Sequence, residues 1–279
     1  EMLRSLVGSE MCIRDRYTIM KKVNSILVQY ISKDDMNISI TNCMTIQGTK
    51  PYIEDTCGYH NDTVWVFDGA TSLSDTTYPD TLVHDFTRYL NDGMYHALSI
   101  NNGSLNGILA QALFYCRSKL GTINFIHPYN VLSCAGVIAR LSENEIEYVQ
   151  FADVGCVVKS SSSIVHESII ESRFKDQQEI ARNHISQLNK HDDQYDIKKR
   201  EINRMIRSRM NCDDGYPIIS YDSQGIYHIK PTKVQVDGEY EIELFSDGWE
   251  KLRDDFPSRL NNSNPDGFDD ATYLSATYN

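Results

Sequence analysis

Hydrophobic and polar positions along the chain follow two spacings, and each spacing predicts a different element. Residues 64–67 form an unbroken run of β-branched and aromatic residues, which is typical of a buried strand. Similar runs or alternations predict further strands at 25–31, 36–42, 131–141, 146–151, 154–159, 240–245 and 271–276. Apolar residues spaced three and four apart predict helices at 80–90, 105–120 and 249–260.

The order of these elements favours one fold class. Strands follow one another in runs and helices come in pairs, which suits antiparallel sheets covered by helices better than alternating βαβ units. The predicted class is α+β. Segment 171–214 is polar and largely helical, and we interpret it as a helical insertion or flap within one domain.

The first sixteen residues do not fit this pattern. Their scattered charges and short apolar run do not have the layout of a signal peptide. They resemble the translation of a sequencing adapter, and a disordered tail is the alternative. We therefore expect a leader at 1–19, a natural start at Met20 and a single catalytic domain over 20–279.

Composition excludes several classes of partner. A net charge of −12 over 279 residues argues against nucleic acid or an anionic membrane surface. No apolar run approaches the ~20 residues of a membrane span. The seven cysteines show no metal-binding spacing, so we expect free thiols in a reducing cytoplasm.

Candidate chemistry begins where the buried strand ends, at Asp68-Gly69. A carboxylate at the mouth of a buried strand is costly unless something pairs with it. The glycine lets a backbone carbonyl approach the same partner, and a hard cation such as Mg²⁺ or Mn²⁺ prefers both kinds of oxygen. The pattern recurs at Asp247-Gly248, and two acidic pairs stand at Glu54-Asp55 and Asp269-Asp270.

These motifs, in order the acidic pair, VFDGATS, FADVG, LFSDG and DDAT, resemble the metal-dependent protein phosphatases, the PPM or type 2C family. The DGATSL version is most similar to prokaryote-type members. The resemblance covers nearly the whole chain. It implies two packed antiparallel β-sheets flanked by helix pairs, an α/β/β/α sandwich, with two metal ions, Mg²⁺ or Mn²⁺, at one end.

The resemblance also implies roles for individual residues. Asp68 would bridge both metals and the carbonyl of Gly69 would bind one of them. Asp247 and Asp269 would hold the other metal. Glu54 would act through metal-bound water, with Asp55 beside it. Asp153 matches a ligand of a third, weaker metal, although a simple turn residue explains it equally well.

Three positions depart from the pattern of the family, at Lys50, Ala70 and Lys251. Lys50 stands where many members carry an arginine for the substrate phosphate, and it lacks the bidentate fork of arginine. Ala70 and Lys251 replace a histidine and an aspartate found in other members; Glu250 or Asp254 could substitute for the latter. A basic run in the flap places Arg200, Arg204 and Arg207 on one helical face, either towards substrate or towards solvent.

The sequence therefore predicts a metal-dependent phosphatase of serine and threonine phosphoproteins, with Asp68, Glu54 and Lys50 in catalysis. Its partner would be a phosphorylated protein or peptide. Two alternatives remain open: a pseudophosphatase that binds without catalysis, and a hydrolase of small phosphoesters with the same metal chemistry.

Overall fold

The computed structural model describes residues 18–21, 25–29, 37–70, 73, 79, 81–160, 163–252 and 269–279. The strands within these residues are β1 (Thr18–Lys21), β2 (Ser25–Gln29), β3 (Ile38–Ile46), β4 (Thr56–His60), β5 (Thr63–Gly69), β6 (Ser133–Leu141), β7 (Glu145–Phe151), β8 (Gly155–Ser160), β9 (Ser163–Ser168), β10 (Ile219–Ser220), β11 (Thr232–Gln235), β12 (Tyr240–Phe245) and β13 (Ala271–Tyr278). The α-helices are α1 (Leu82–Ile100), α2 (Leu105–Leu120), α3 (Ser172–Ser186), α4 (Tyr195–Arg207) and α5 (Asp247–Leu252). Two 3₁₀ turns lie at Pro128–Asn130 and Gln224–His228.

The strands form two antiparallel sheets. The order in the seven-stranded sheet is β1-β2-β3-β13-β12-β8-β9, and in the other sheet it is β11-β7-β6-β5-β4, with β10 paired to β6. One apolar cluster lies between the sheets and a second lies between the smaller sheet and helices α1 and α2. The predicted α+β class with two packed antiparallel sheets is confirmed.

The apolar run of strand β5 is unbroken because both faces of the strand are buried. Val64 and Val66 belong to the cluster between the sheets, whereas Trp65 and Phe67 belong to the cluster under the helices. All four side chains are fully buried. A strand that is covered on both faces has no polar side, so its sequence does not alternate.

Helix α2 confirms its predicted apolar face, but α1 is longer than predicted. The predicted helix ended at Leu90, yet α1 continues to Ile100. Gly93 lies at the contact with α2, because a Cβ there would lie 2.5 Å from the carbonyl oxygen of Ala112. The close crossing of α1 and α2 thus requires this glycine.

The flap segment is helical, as predicted, but hardly buried. Helix α3 buries Gln177 and α4 buries Ile206, and no other residue of either helix is buried. Helix α5 packs on the seven-stranded sheet, where the ring of Trp249 stacks on the ring of Tyr273 in β13. Helix α5 begins two residues before the predicted start, and the rest of that predicted helix, 253–260, lies outside the described residues.

Two further predictions concern the start of the chain, which the structure describes only in part. Strand β1 begins at Thr18, two residues before the proposed start at Met20, and pairs with β2. Residues 1–17 lie outside the described residues, so the interpretation of the leader remains a prediction. The strands predicted at 25–31 and 36–42 correspond to β2 and β3, which pair antiparallel from Ser25↔Ile46. Among the described helices, none has the length and apolarity needed to cross a bilayer.

Candidate metal centre

Antiparallel pairing brings each Asp-Gly motif beside one acidic pair. Strand β5 ends in Asp68-Gly69 and its neighbour β4 starts directly after Glu54-Asp55. The start of one antiparallel strand lies beside the end of the next, as the pair Thr56↔Phe67 shows. In the other sheet the arrangement repeats: β12 ends just before Asp247-Gly248, and β13 starts just after Asp269-Asp270.

The glycine of each motif packs against the backbone of the neighbouring acidic pair. A Cβ added at Gly69 would lie 2.6 Å from the carbonyl oxygen of Glu54. A Cβ added at Gly248 would overlap the carbonyl oxygen of Asp270. Both motifs therefore need glycine for close backbone approach, in addition to the tight turn that the sequence suggested.

Asp270 ties the two halves of the site together. Its side chain is 2% exposed. Oδ1 accepts a hydrogen bond from the Gly48 backbone N–H at 2.7 Å, and Oδ2 accepts one from the Glu54 N–H at 2.5 Å. A residue at the start of β13 thus fixes the loop that carries Lys50 and Glu54.

Asp55 is buried to the same degree but is less well satisfied. Its side chain is 3% exposed and its Oδ2 has no hydrogen-bond partner among the described residues. Burial and the charge of Asp270 raise the pKa of Asp55 to about 7, against hydrogen bonding with Ser246, Thr272 and Asp68. A buried carboxylate with an unpartnered oxygen is the kind of group that a cation stabilises.

Asp68 is where the charges of the site accumulate. Burial raises its pKa well above the ordinary value, and the charges of Asp55, Asp153, Asp247 and Asp269 raise it further. These acids come from four separate segments of the chain. The predicted acids are therefore brought into electrostatic contact, and in the absence of a cation they repel one another.

Lys50 supplies positive charge inside this group. Its Nζ lies 2.5 Å from Glu54 Oε2 and 3.4 Å from Asp269 Oδ1. Burial works to lower the pKa of Lys50, but the hydrogen bond and charge of Glu54, with the charge of Asp269, raise it. The lysine that was predicted to bind the substrate phosphate thus forms ion pairs with two of the acids that were predicted to bind metal.

Asp153 lies on a strained corner beside the flap. The turn between β7 and β8 places Ala152 at a φ of 55°, a left-handed conformation that side chains other than glycine rarely adopt. Gln178 of α3 donates a hydrogen bond to Asp153 Oδ2 at 3.3 Å, and the Glu171 N–H donates to the Ala152 carbonyl at 2.7 Å. The base of the flap is therefore attached to the corner that carries the third-metal candidate.

The basic face of α4 turns towards the site, not only towards solvent. Arg204 donates from Nε and Nη2 to the Leu73 carbonyl at 3.1 and 2.9 Å and lies over the ring of Tyr129. Burial lowers the pKa of Arg207, while the electrostatic influence of Tyr216 and Glu54 opposes that shift. Arg200, by contrast, is exposed. Of the three aligned arginines, Arg207 is thus linked electrostatically to Glu54 of the acidic centre, and Arg204 is bound to the chain that follows the first Asp-Gly motif.

The donor set fits a hard divalent cation, although the side chains do not form a closed ligand sphere. Across the part of the chain that the structure describes, no three His, Cys, Asp or Glu side chains stand close enough to hold a metal ion. The orphaned Oδ2 of Asp55 and the mutual repulsion at Asp68 nevertheless favour added positive charge. Carboxylate and carbonyl oxygens are the ligands that Mg²⁺ and Mn²⁺ prefer.

Sequence reasoning missed two residues that position the site. Asp270 was noted only as the second member of an acidic pair, and nothing local distinguishes it from Asp269. His84 lies on α1, where its Nδ1 is 2.5 Å from the carbonyl oxygen of Ile53, next to the first acidic pair. A histidine in an amphipathic helix gives no such signal.

The substitution at Lys251 involves its neighbours Glu250 and Asp254, and the substitution at Ala70 makes His60 the nearest histidine in sequence. Glu250 is exposed, whereas Asp254 and the side chain of Lys251 lie outside the described residues. His60 ends β4 at the turn away from the acidic pair, edge-on to the Tyr95 ring. It has no place in the candidate centre.

A two-sheet sandwich with acidic strand ends at one edge defines the fold of the metal-dependent protein phosphatases, and comparison with solved structures confirms that fold. The catalytic domain of the serine/threonine phosphatase PstP, in complex with two manganese ions, has 11% identity and a TM-score of 0.51, over 87% of this chain and 99% of that one. A bacterial serine phosphatase with an arginine-to-lysine substitution has 12% identity and a TM-score of 0.50, over 88% and 98%.

A further structural match is the PPM Ser-Thr phosphatase MsPP from Mycobacterium smegmatis, in complex with cacodylate. It has 14% identity and a TM-score of 0.49, over 86% of this chain and 97% of that one. No family model and no curated protein matches the sequence. At these identities the likeness concerns the fold, and the residues of this chain must carry any statement about chemistry.

Proposed function

We propose that this protein is a metal-dependent phosphatase that hydrolyses phosphoserine and phosphothreonine in proteins or peptides. The observation that carries the proposal is the meeting of two Asp-Gly strand ends with two acidic pairs, which the hydrogen bonds from the Gly48 and Glu54 backbone N–H groups to Asp270 tie together. The charges of Asp55, Asp153, Asp247 and Asp269 raise the pKa of Asp68, which supports a site for a cation. We further propose that the protein acts in the cytoplasm.

Each acid has a proposed role in holding two ions, Mg²⁺ or Mn²⁺. Asp68 would be shared by both ions, and the carbonyl of Gly69 would bind one of them. Asp247 and Asp269 would hold the other ion. Glu54 and Asp55 would orient water, and Asp153 would serve a third ion. When bound, such ions supply a nucleophile at neutral pH and neutralise charge on the phosphoryl oxygens.

The remaining residues would bind and orient the phosphate. Lys50 can contribute charge but not two parallel hydrogen bonds. Arg207, whose pKa responds to the charge of Glu54, carries the planar guanidinium that Lys50 lacks. Arg204 would keep α4 in place through the Leu73 carbonyl.

One observation favours a second candidate, a pseudophosphatase. The contacts of Lys50 with Glu54 and Asp269 place an internal cation among the predicted ligands. A chain that neutralises its own acids could keep the fold and bind phosphoproteins without hydrolysing them.

Hydrolysis of a phosphothreonine peptide, measured with Mn²⁺, with Mg²⁺ and with excess EDTA, separates these functions. The phosphatase should release phosphate with either metal and none with EDTA. It should resist reagents that inactivate catalytic cysteines, because no cysteine takes part in the proposed chemistry. Binding of the peptide without turnover in any metal would favour the pseudophosphatase, and turnover in EDTA would refute both.

A further inference from the structure

Two cysteines from different sheets meet close to the acidic centre. Cys43 lies on β3 of the seven-stranded sheet, and Cys57 lies on β4 of the smaller sheet. Their Sγ atoms are 2.9 Å apart, at hydrogen-bonding distance for two thiols. All six described cysteines are free.

The pair is positioned for a bond across the core. Cys43 is buried in the cluster between the sheets, and Cys57 is partly buried against the same cluster. A disulfide needs its sulfur atoms at about 2.05 Å. The two sulfur atoms are therefore less than 1 Å from bonding distance.

Small molecules can reach the pair. Cys43 and Cys57 both line a surface cavity of about 260 Å³, together with Ile53 and the exposed Arg88. Cys57 is the more exposed of the two thiols. By contrast, the Cys116, Cys134 and Cys156 side chains are fully buried.

We propose that Cys43 and Cys57 form a reversible disulfide when the protein meets a peroxide, and so tether the two sheets beside the acidic centre. The Cys57 thiolate attacks one peroxide oxygen, which breaks the O–O bond and gives a sulfenic acid and water. The Cys43 sulfur then attacks the Cys57 sulfur and expels a second water molecule. Two thiols lose two electrons and two protons, and one hydrogen peroxide is reduced to two waters.

The tether acts on a segment that matters for the site. Cys57 follows Asp55 by two residues, and Cys43 faces Leu274 of β13, which starts directly after Asp269-Asp270. The disulfide would close the loop between residues 43 and 57, which contains both Lys50 and the first acidic pair. Closing a loop restricts the unfolded chain, so the oxidised protein should be the more stable form.

The test uses the full chain, reduced and then titrated with hydrogen peroxide, with remaining thiols alkylated before non-reducing digestion and mass spectrometry. We expect a peptide that links Cys43 to Cys57, lighter than its two components by two hydrogens and separated by dithiothreitol. Cys57→Ser should abolish this peptide. Cys212→Ser, which removes an exposed thiol, is the matched control and should leave it intact.

Thermal unfolding in EDTA gives a second measurement that requires neither metal nor turnover. Oxidation should raise the melting temperature of the wild type and of Cys212→Ser, and leave that of Cys57→Ser unchanged. The inference is overturned if Cys212 is oxidised while Cys43 and Cys57 remain thiols, or if Cys57 only reaches a sulfinic acid or a mixed disulfide. Equal cross-linking in concentrated urea would also overturn it, since chain proximity rather than the fold would then explain the bond.

Discussion

The acidic pairs Glu54-Asp55 and Asp269-Asp270 occupy equivalent places in the two sheets, yet their side chains have opposite environments. Each pair directly precedes a strand and packs against the glycine of an Asp-Gly motif. Both oxygens of Asp270 accept backbone hydrogen bonds, whereas Asp55 keeps one buried oxygen without a partner. The side chain of Asp269 is 52% exposed and that of Glu54 only 8%.

The comparison shows that one sequence layout can serve two purposes. The second acid of the β13 pair is a structural residue that holds a loop, and the second acid of the β4 pair is a destabilised group that favours a cation. Each residue is the second acid of an acidic pair that precedes a strand. The difference arises from their tertiary partners: Asp270 meets backbone N–H groups of the loop between β3 and β4, and Asp55 meets the charge of Asp270.

The largest effect should come from Asp68, on which both halves of the centre converge. Asp68→Asn keeps the side-chain volume and removes the charge that the metals are expected to share. Hydrolysis of a phosphothreonine peptide in Mn²⁺ should fall on the order of a thousandfold, the equivalent of several kcal/mol of lost electrostatic stabilisation. In EDTA the variant should melt no lower than the wild type, because a repelling charge has gone.

Asp92→Asn, on an exposed position of α1, is the control and should change neither property. Wild-type metal binding and turnover in Asp68→Asn would mean that the bridging assignment, and the motif alignment behind it, is wrong.

The two acids of the Asp269-Asp270 pair should differ in what they contribute: Asp270 to the stability of the fold and Asp269 to metal binding. Asp270→Asn turns an amide donor towards one of two backbone N–H donors, so the free energy of unfolding in EDTA should fall by about 1–3 kcal/mol. Asp269→Asn should leave unfolding in EDTA unchanged and weaken Mn²⁺ binding in calorimetry. Urea unfolding of both variants measures the difference. If Asp269→Asn proves the less stable of the two, the roles within this pair are reversed.

Asp55 should make the stability of the metal-free protein depend on pH. Its folded pKa of about 7 exceeds its ordinary value of 3.8, so the folded state retains a proton that the unfolded state releases. This contribution is fully present below about pH 4 and is lost as the pH rises through 7, with a slope of at most about 1.4 kcal/mol per pH unit.

The difference in unfolding free energy between the wild type and Asp55→Asn, measured in EDTA from pH 4 to 8, isolates this group. Asp55→Asn should become the more stable protein relative to the wild type as the pH rises. A difference that stays flat across this range would show that Asp55 ionises normally. Asp192→Asn is a useful contrast, because a hydrogen bond from Lys198 lowers the pKa of Asp192.

The fold and most of its strands could be predicted because burial leaves a local trace. The run at 64–67 and the apolar face of α2 record which side chains the core covers. Strands β1, β4, β9, β10 and β11 were missed, since they are short or partly exposed and the pairing of most of them is set by neighbours distant in sequence. The same reason explains Gly93, whose role depends on a second helix.

The candidate site could be predicted only as a set of acids. The motifs locate Asp68, Asp247 and Asp269 at strand ends, and antiparallel pairing then brings them together. The partner of each acid is a tertiary property. Neither the backbone donors to Asp270 nor the electrostatic influence of Glu54 on Arg207 has a counterpart in local sequence.

The smallest expected effect concerns Lys50, whose charge links the two unlike pairs through Glu54 and Asp269. If Lys50 serves as an internal counterion, a divalent cation must displace its ammonium group before it binds. Lys50→Gln should then bind Mn²⁺ more tightly by on the order of fivefold, about 1 kcal/mol, the upper range for a partly exposed ion pair. Calorimetry measures this directly.

Kinetics decide whether Lys50 also binds the substrate phosphate after a metal ion has displaced the Lys50 ammonium group from the acids. In that case Lys50→Gln should raise the KM for a phosphothreonine peptide with little change in kcat, and Lys50→Arg should lower it, because arginine adds a second hydrogen bond. Lys159→Gln removes a comparable lysine, 2.7 Å from Glu243, away from the acidic centre and should alter neither constant. Unchanged Mn²⁺ affinity together with unchanged KM in Lys50→Gln would leave the lysine as an ordinary loop residue, and the coupling between the two pairs would then rest on Asp270 alone.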